Sequence, residues 1–384
     1  MNAKPVPFGQ FGAQDVEALV KNTEFLDQRR GVSVGGGLHT SKKFKVESEK
    51  LFEQIISLEN LLAAWEEFRR GKRAKPDVAD FEMSLEDNLI LLHHELKEQI
   101  WRPSPYKPFY ISDPKLRHIH KACVRDRVVH QAVFRILYPI FDRGFIFDSY
   151  SCRVGKGTHR AVKRLETFCR RLSKNYRQPV FSLKCDIKKF FDSIEHSILR
   201  RLIVKKIDDA KVIGLIDSII GSFSASPGKG LPLGNVTSQL FANIYMNELD
   251  QFVKHRLKVK EYIRYTDDFV IVSPNREYLE KLLAPMAKFL SVYLGLSLHP
   301  RKIILHKLSQ GVDFLGYVVL PHHIVLRTKT KNRIFKKLAL KSRMLESGNL
   351  PSKSFFQSKQ SYLGTLNHCK GHKIRQEIMR LFRT

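Results

Sequence analysis

The segment EYIRYTDDFVIVS, residues 261 to 273, sets two adjacent carboxylates, Asp267 and Asp268, inside a run of β-branched and aromatic residues. Apolar alternation on both sides of a short polar break is the pattern of two strands meeting at a tight turn. Two neighbouring carboxylates at such a tip admit two readings. Asp tolerates the backbone of a hairpin turn, or the pair holds a metal ion. The rest of the sequence has to decide between them.

Charge narrows the partners. Lys and Arg number 67 against 38 Asp and Glu, a net charge of +29 over 384 residues. Such an excess calls for a polyanion, because each neutralised phosphate releases condensed counterions. Nucleic acid leads and a membrane surface comes second. At 384 residues the chain is long enough for two or three structural units, and its 43% hydrophobic content is ordinary for a globular protein. Charges interrupt every apolar stretch well before the roughly 20 residues a bilayer needs, so no membrane span is expected. The first residues, MNAKPVPFGQFGAQ, lack the apolar core of a secretory signal, and a cytoplasmic location is expected. Five scattered cysteines with no CxxC pair read as reduced thiols. The cluster His368, Cys369 and His372 lacks a second half and reads as incidental.

Residues 1–47, with GVSVGGG and little periodicity, read as a mobile or partner-ordered extension. Ser57 is a candidate N-cap for a helix carrying Leu58, Leu61, Leu62, Trp65 and Phe68, and Phe81, Leu85, Leu89, Leu92 and Leu96 predict a second helix. GKRAKPD, 71 to 77, is a basic loop between them. PYKPFYISDPKLRHIH, 105 to 120, reads as two strands around Asp113-Pro114-Lys115, followed by a helix through RVVHQAVFRILYPIF. FSLKCDI, 181 to 187, is a strand ending on Asp186, and a helix carrying LFANIYMNELDQFVKH follows GLPLGNVTSQ. From Thr328 onward the pattern is helical and rich in Lys.

Asp186 at a strand end and Asp267 and Asp268 at a hairpin tip can meet at adjacent edges of one sheet. Three such carboxylates are the usual protein share of a two-metal phosphoryl-transfer site, with the ions about 3.5–4 Å apart. That order, with a Gly-rich turn and helix between the acids, favours the metal reading.

CDIKKFFDSI, GLPLGNVTSQLFANIYMNELD and RYTDDF resemble motifs A, B and C of reverse transcriptases. FDSYSCRVGKGTHRA at 147 to 161 resembles the segment preceding motif A in group II intron and related bacterial enzymes. LGLSLHPRK at 294 to 302 resembles motif D, and DFLGY at 313 to 317 resembles motif E. Group II intron enzymes usually carry Gln before the motif B Gly and Ser-Pro after it; here Leu233-Gly234 and Ser238-Gln239 stand instead. That pattern, and LLAAWEEFRRGK at 61 to 72, is similar to reverse transcriptases of diversity-generating retroelements. No segment resembles a maturase or endonuclease domain, which suits that branch and equally the defence-associated and retron-type enzymes.

The resemblance implies an α+β right-hand polymerase fold: an N-terminal extension over 1–47, fingers with the start of the palm over 48–180, palm over 181–325 and helical thumb over 326–384. It implies RNA-directed DNA synthesis with two Mg²⁺ ions, or Mn²⁺ in their place, held by Asp186, Asp267, Asp268 and the Ile187 carbonyl. Lys302 would protonate the pyrophosphate leaving group from a mobile loop. Lys115 and Arg117 would contact the triphosphate, Phe191 would stand where a ribonucleotide 2′-hydroxyl would sit, and Leu233, Gly234 and Gln239 would face the nucleotide. Phe190 or Phe191 is also expected in the core, as adjacent strand residues face opposite ways. Arg125 and Arg127 either pair with Asp126 or touch template. The implied partners are a template RNA, its RNA/cDNA duplex gripped by the Lys-rich thumb, deoxynucleoside triphosphates and a small pentameric accessory protein. The implied errors fall at adenines. A non-catalytic RNA-binding scaffold on the same fold is the rival from another class.

Overall fold

The computed structural model describes residues 51–112 and 115–382. The expected N-terminal extension and the residues Asp113 and Pro114 of the first hairpin lie outside them.

Among the described residues four helices come first: α1 (Leu51–Ile56), α2 (Leu58–Arg69), α3 (Pro76–Met83) and α4 (Leu85–Lys97). Ser57 caps α2 by accepting from the Asn60 N–H at 3.2 Å. The buried stripe of α2 runs through Leu61, Ala64, Trp65 and Phe68, which leaves Leu58 and Leu62 outside it, 42% and 47% exposed. The expected helix from Phe81 to Leu96 is broken at Ser84, whose backbone leaves the helical region at φ −121° and ψ 45°. The basic loop ends earlier than its composition suggests, because Pro76 takes the first helical position, where its missing N–H costs nothing.

Strands β1 (Lys107–Ile111) and β2 (Arg117–Lys121) form an antiparallel hairpin that is exposed along most of its length. Helix α5 (Val124–Asp142) is inward-facing at Val128, Val129, Ala132 and Val133, and it buries His130 among them. Helix α6 (Thr158–Leu172) follows.

The central sheet is antiparallel, in the order β4, β5, β3, β6, built from β3 (Phe181–Asp186), β4 (Tyr262–Tyr265), β5 (Asp268–Ser273) and β6 (Ile304–Lys307). Between β3 and β4 lie α7 (Phe190–Ser193), α8 (His196–Val204), α9 (Ala210–Gly221) and α10 (Val236–Gln251), the last ending in a wider turn over Phe252–Arg256. Helix α10 starts at Val236 rather than at Leu240, with Asn235 in extended backbone as its N-cap residue. Helix α11 (Arg276–Leu294) links β5 to β6.

Period-two alternation sends each strand into two cores. Leu183, Cys185, Tyr262, Phe269 and Ile271 join the large helical core on one face. Ile263, Val270 and Val272 join a second core on the other, with Val162 and Leu165 of α6. A small sheet of β7 (Val312–Phe314), β8 (Tyr317–Leu320) and β9 (His323–Leu326) packs into that second core. So do α12 (Thr328–Glu346), α13 (Ser352–Leu366) and α14 (His372–Leu381) through Ile334, Leu338, Phe355, Leu363 and Ile378. Among the described residues no helix is long and apolar enough to cross a membrane.

Candidate active site

Register brings the acids together. In the β3–β5 pairing Asp186 is the Cα partner of Asp268, and Tyr265 of β4 faces Asp268 across a two-residue loop of Thr266 and Asp267. The Ile187 N–H donates to the Asp267 carbonyl at 3.3 Å, so the end of β3 is stitched to the hairpin tip. All three acids are half-buried at one edge of the sheet.

Their electrostatics follow from that crowding. Burial, with the Asp186 charge adding to it, raises the Asp267 carboxyl above its ordinary range, against the pull of Lys302 and Arg117. Asp268 is pushed up to about 6 by burial, with Asp186 and Asp267 acting the same way and Lys184 opposing. Asp268 Oδ2 meets Lys184 Nζ at 3.2 Å, while its Oδ1 is buried and has no hydrogen-bond partner. Asp186 Oδ1 accepts from Lys302 Nζ at 2.6 Å. Among the described residues no three His, Cys, Asp or Glu side chains are arranged so as to hold a metal ion; two of the carboxylates turn to lysines. A buried carboxylate oxygen without a donor, beside two further carboxylates, is nonetheless a donor set that a hard divalent cation would complete.

Lys302 lies in a short helical turn, Pro300–Lys302, and the segment before it is fastened to β3. The His299 N–H donates to the Asp186 carbonyl at 2.7 Å, and the Lys188 N–H donates to the Ser297 carbonyl at 2.9 Å. Where a mobile loop was expected, backbone hydrogen bonds hold the lysine against an acid. Lys184 also donates to the Asp313 carbonyl at 2.8 Å, linking Asp268 to the small sheet.

The remaining candidates surround this edge. Arg117 is exposed on β2 and lies close enough for its charge to act on Asp267; Lys115 is exposed at the described end of the same turn. Phe190 and Phe191 sit on the single turn of α7 rather than on a strand, so helical spacing and not strand alternation sets their directions. Phe190 is 3% exposed, whereas Phe191 is half-buried at the rim of the helical core, its ring 5.3 Å from that of Phe190. The Phe191 carbonyl accepts from the Leu231 N–H at 2.9 Å, which fixes the Gly-rich loop beside α7. Leu233 is half-buried, and its carbonyl lies 3.4 Å from the donating N–H of His120 on β2. Gly234 has φ +125°, and a Cβ there would lie 3.5 Å from Ile119 and 3.6 Å from the His120 carbonyl. The backbone angle favours glycine, whereas a Cβ would meet β2 only at ordinary van der Waals distance. Gln239 is exposed on α10. Arg125 pairs with Glu95 and, at 3.5 Å, with Asp126, and Arg127 pairs with Asp77 at 2.7 Å.

Three structural groups escaped sequence reasoning. Lys184 is one. His130 is another: Asn235 Nδ2 approaches its Nε2 at 3.3 Å and Thr237 Oγ1 its Nδ1 at 2.8 Å, tying α5 to the start of α10. Third is the fully buried pair of Arg264 and Asp250, with Arg264 Nη2 2.6 Å from Asp250 Oδ2 and Nε 2.7 Å from Oδ1. The available signals were a charge inside YIRY and a histidine inside VVHQAVF.

An antiparallel sheet that gathers acids at one edge, with a core on each face and a helical C-terminal lobe, defines the right-hand nucleic-acid polymerases as a class. Within that class the chain belongs to the reverse transcriptase (RNA-dependent DNA polymerase) family, whose model matches residues 111–319. It is 27% identical over 270 residues to protein YkfC of Escherichia coli, covering 60% of this chain and 70% of that protein. It is 25% identical over 303 residues to the group II intron-encoded protein LtrA of Lactococcus lactis, covering 60% of this chain and 49% of LtrA. The chain thus spans about half of LtrA. A solved telomerase from Candida albicans, in complex with a fragment of telomeric RNA, aligns over 66% of this chain and 52% of its own, at 14% identity and a TM-score of 0.45.

Proposed function

We propose that the chain copies a template RNA into DNA by two-metal phosphoryl transfer at the edge formed by Asp186, Asp267 and Asp268. The observation that carries this reading is the register that sets Asp186 opposite Asp268, with a buried, unpartnered Asp268 oxygen between charged neighbours. These three residues, with the Ile187 carbonyl, would hold Mg²⁺, which supplies a lowered pKa for the primer 3′-hydroxyl and charge stabilisation for the leaving pyrophosphate.

The chain's own groups then divide the work. Arg117, with Lys115, offers a fork and a point charge to the triphosphate from the exposed β-hairpin. Phe191, at the rim of the core, opposes a ribose 2′-hydroxyl and so favours deoxynucleotides. Gly234 lets the backbone approach the templating pair. Lys302 delivers its proton to the leaving group once released from Asp186. Leu233 cannot hydrogen-bond the nucleotide, so the pair is held by shape, which loosens fidelity. The Lys-rich α12 grips the duplex backbone without reading sequence.

The setting we favour is a diversity-generating retroelement, with adenine-directed errors and a small pentameric accessory protein. Leu233-Gly234 and Ser238-Gln239 are the residues that support it. Primer extension tests the chemistry: Asp267→Ala with Asp268→Ala abolishes it, and wild-type extension by that variant would return the chain to a non-catalytic scaffold. Sequencing the cDNA of Leu233→Gln tests the fidelity role, and an unchanged adenine error rate would remove it. Sequencing the copurifying nucleic acid tests the setting. A template matching a variable gene supports it, and a non-coding RNA with no such match assigns the chain to a defence or retron system.

A further inference from the structure

The hairpin that carries Asp267 and Asp268 has only two loop residues, and the first of them, Thr266, has φ +56°. For a β-branched residue that left-handed angle is an outlier that persists only when surrounding contacts over-determine it. The contacts come chiefly from Arg264, two residues earlier, which is fully buried. Its Nη1 donates to the Thr266 carbonyl at 2.9 Å, the bond that closes over the turn. Its Nη2 donates to Ser149 Oγ at 3.1 Å as well as to Asp250, and Nη1 lies 3.3 Å from Asn243 Oδ1. Asp250 at the end of α10 receives both the guanidinium fork and the Tyr262 hydroxyl, the latter at 2.7 Å. Thr266 Oγ1 in turn donates to Ser151 Oγ at 2.6 Å.

From this network we infer that Arg264 is a positioning residue: it spans α10, the 149–151 segment and the Thr266 carbonyl, and so sets the angle at which the two carboxylates leave the turn. Stability alone does not account for such a group. A buried ion pair is commonly replaceable by apolar side chains at little or no cost to folding. A planar fork satisfied on several sides is instead suited to fixing geometry. Lysine keeps the charge opposite Asp250 but cannot reach the Thr266 carbonyl, Ser149 and both Asp250 oxygens together.

The inference rests on the polymerase reading, and its test keeps the two apart. Primer extension by purified full-length wild type comes first; without it the polymerase reading fails. The same assay is then run on Arg264→Lys and on the apolar replacement Arg264→Met with Asp250→Leu, each with its thermal midpoint and primer–template affinity measured. A displacement of the carboxylates by about an ångström costs on the order of 10²-fold in rate. The expected result is a fall of about tenfold to a hundredfold in kcat for whichever variants fold. KM for the nucleotide and affinity for primer–template stay within about threefold, and the loss persists in the apolar pair even where its midpoint matches wild type. Wild-type kcat in either folded variant overturns the inference. So does a loss that appears only in KM, or a loss in the lysine variant that vanishes in a stable apolar pair.

Discussion

Lowering the pH should loosen this protein through His130, at the junction between the exposed hairpin and the start of α10. The imidazole is fully buried and burial alone lowers its pKa from 6.5 to about 4. Its Nε2 accepts from the Asn235 amide, so Nδ1 carries the proton and donates to Thr237 Oγ1. A second proton on Nε2 would face a donor. Asn235 also donates to the Tyr106 hydroxyl at 3.0 Å, so the damage would spread along the junction. The direction follows from linkage. Between pH 6.5 and about 4 the unfolded chain binds a proton at this site that the folded chain does not, so this contribution is present above pH 6.5 and is lost as pH falls. With those two values, moving from pH 7 to pH 5 removes about 2 kcal/mol, and the limit below pH 4 is about 3 kcal/mol. The measurement is denaturant unfolding of wild type and His130→Gln at pH 7 and pH 5, read as the difference between their pH dependences, which cancels other titrating groups. Wild type should lose about 2 kcal/mol more than the variant. Parallel behaviour of the two proteins would refute the argument.

Three further outcomes follow from the active edge and the core. Lys302→Met should lower kcat by about 10²-fold while primer–template affinity holds, and single-turnover primer extension reads it. With the ammonium gone from Asp186, the Mg²⁺ concentration for half-maximal activity should fall; a rise would argue against competition between lysine and metal. Because Asp268 is pushed up to about 6 and a protonated carboxyl cannot ligate, that Mg²⁺ requirement should rise as pH drops from 8 towards 6. A pH-independent requirement would count against Asp268 as a ligand. Tyr245 is fully buried and donates to the Leu294 carbonyl at 2.5 Å, so Tyr245→Phe should cost about 1–3 kcal/mol in denaturant unfolding. No change would show that water satisfies that carbonyl.

The sheet was legible in the sequence because each strand carries its own signal: FSLKCDI and YIRYTDDFVIVS are β-branched and aromatic runs bounded by breaks. Acids at strand ends were readable for the same reason, but the register that sets Asp186 opposite Asp268 belongs to a long-range strand pair and not to a hairpin. Helix breaks were not. Ser84 interrupts a continuous apolar period without a glycine or proline to mark it. The single turn at Phe190–Ser193 was read as strand because four residues are too few for either period to show. Polar partners were the least visible. Arg264 and Asp250, or His130 and Asn235, are far apart in the chain or lie on different elements, and only the tertiary fold makes them neighbours. Lys302 was legible as a lysine, but its attachment to Asp186 was not.

A sheet wrapped on both sides has a consequence for how such an enzyme fails. Leu183 and Cys185 on β3, and Phe269 to Val272 on β5, are all sealed from solvent within a few residues of the reacting edge. The carboxylates therefore have no independent scaffold to rest on if either core loosens. Lesions in the cores should thin the population of competent molecules and leave the survivors at full speed, whereas lesions at the edge should slow every molecule alike.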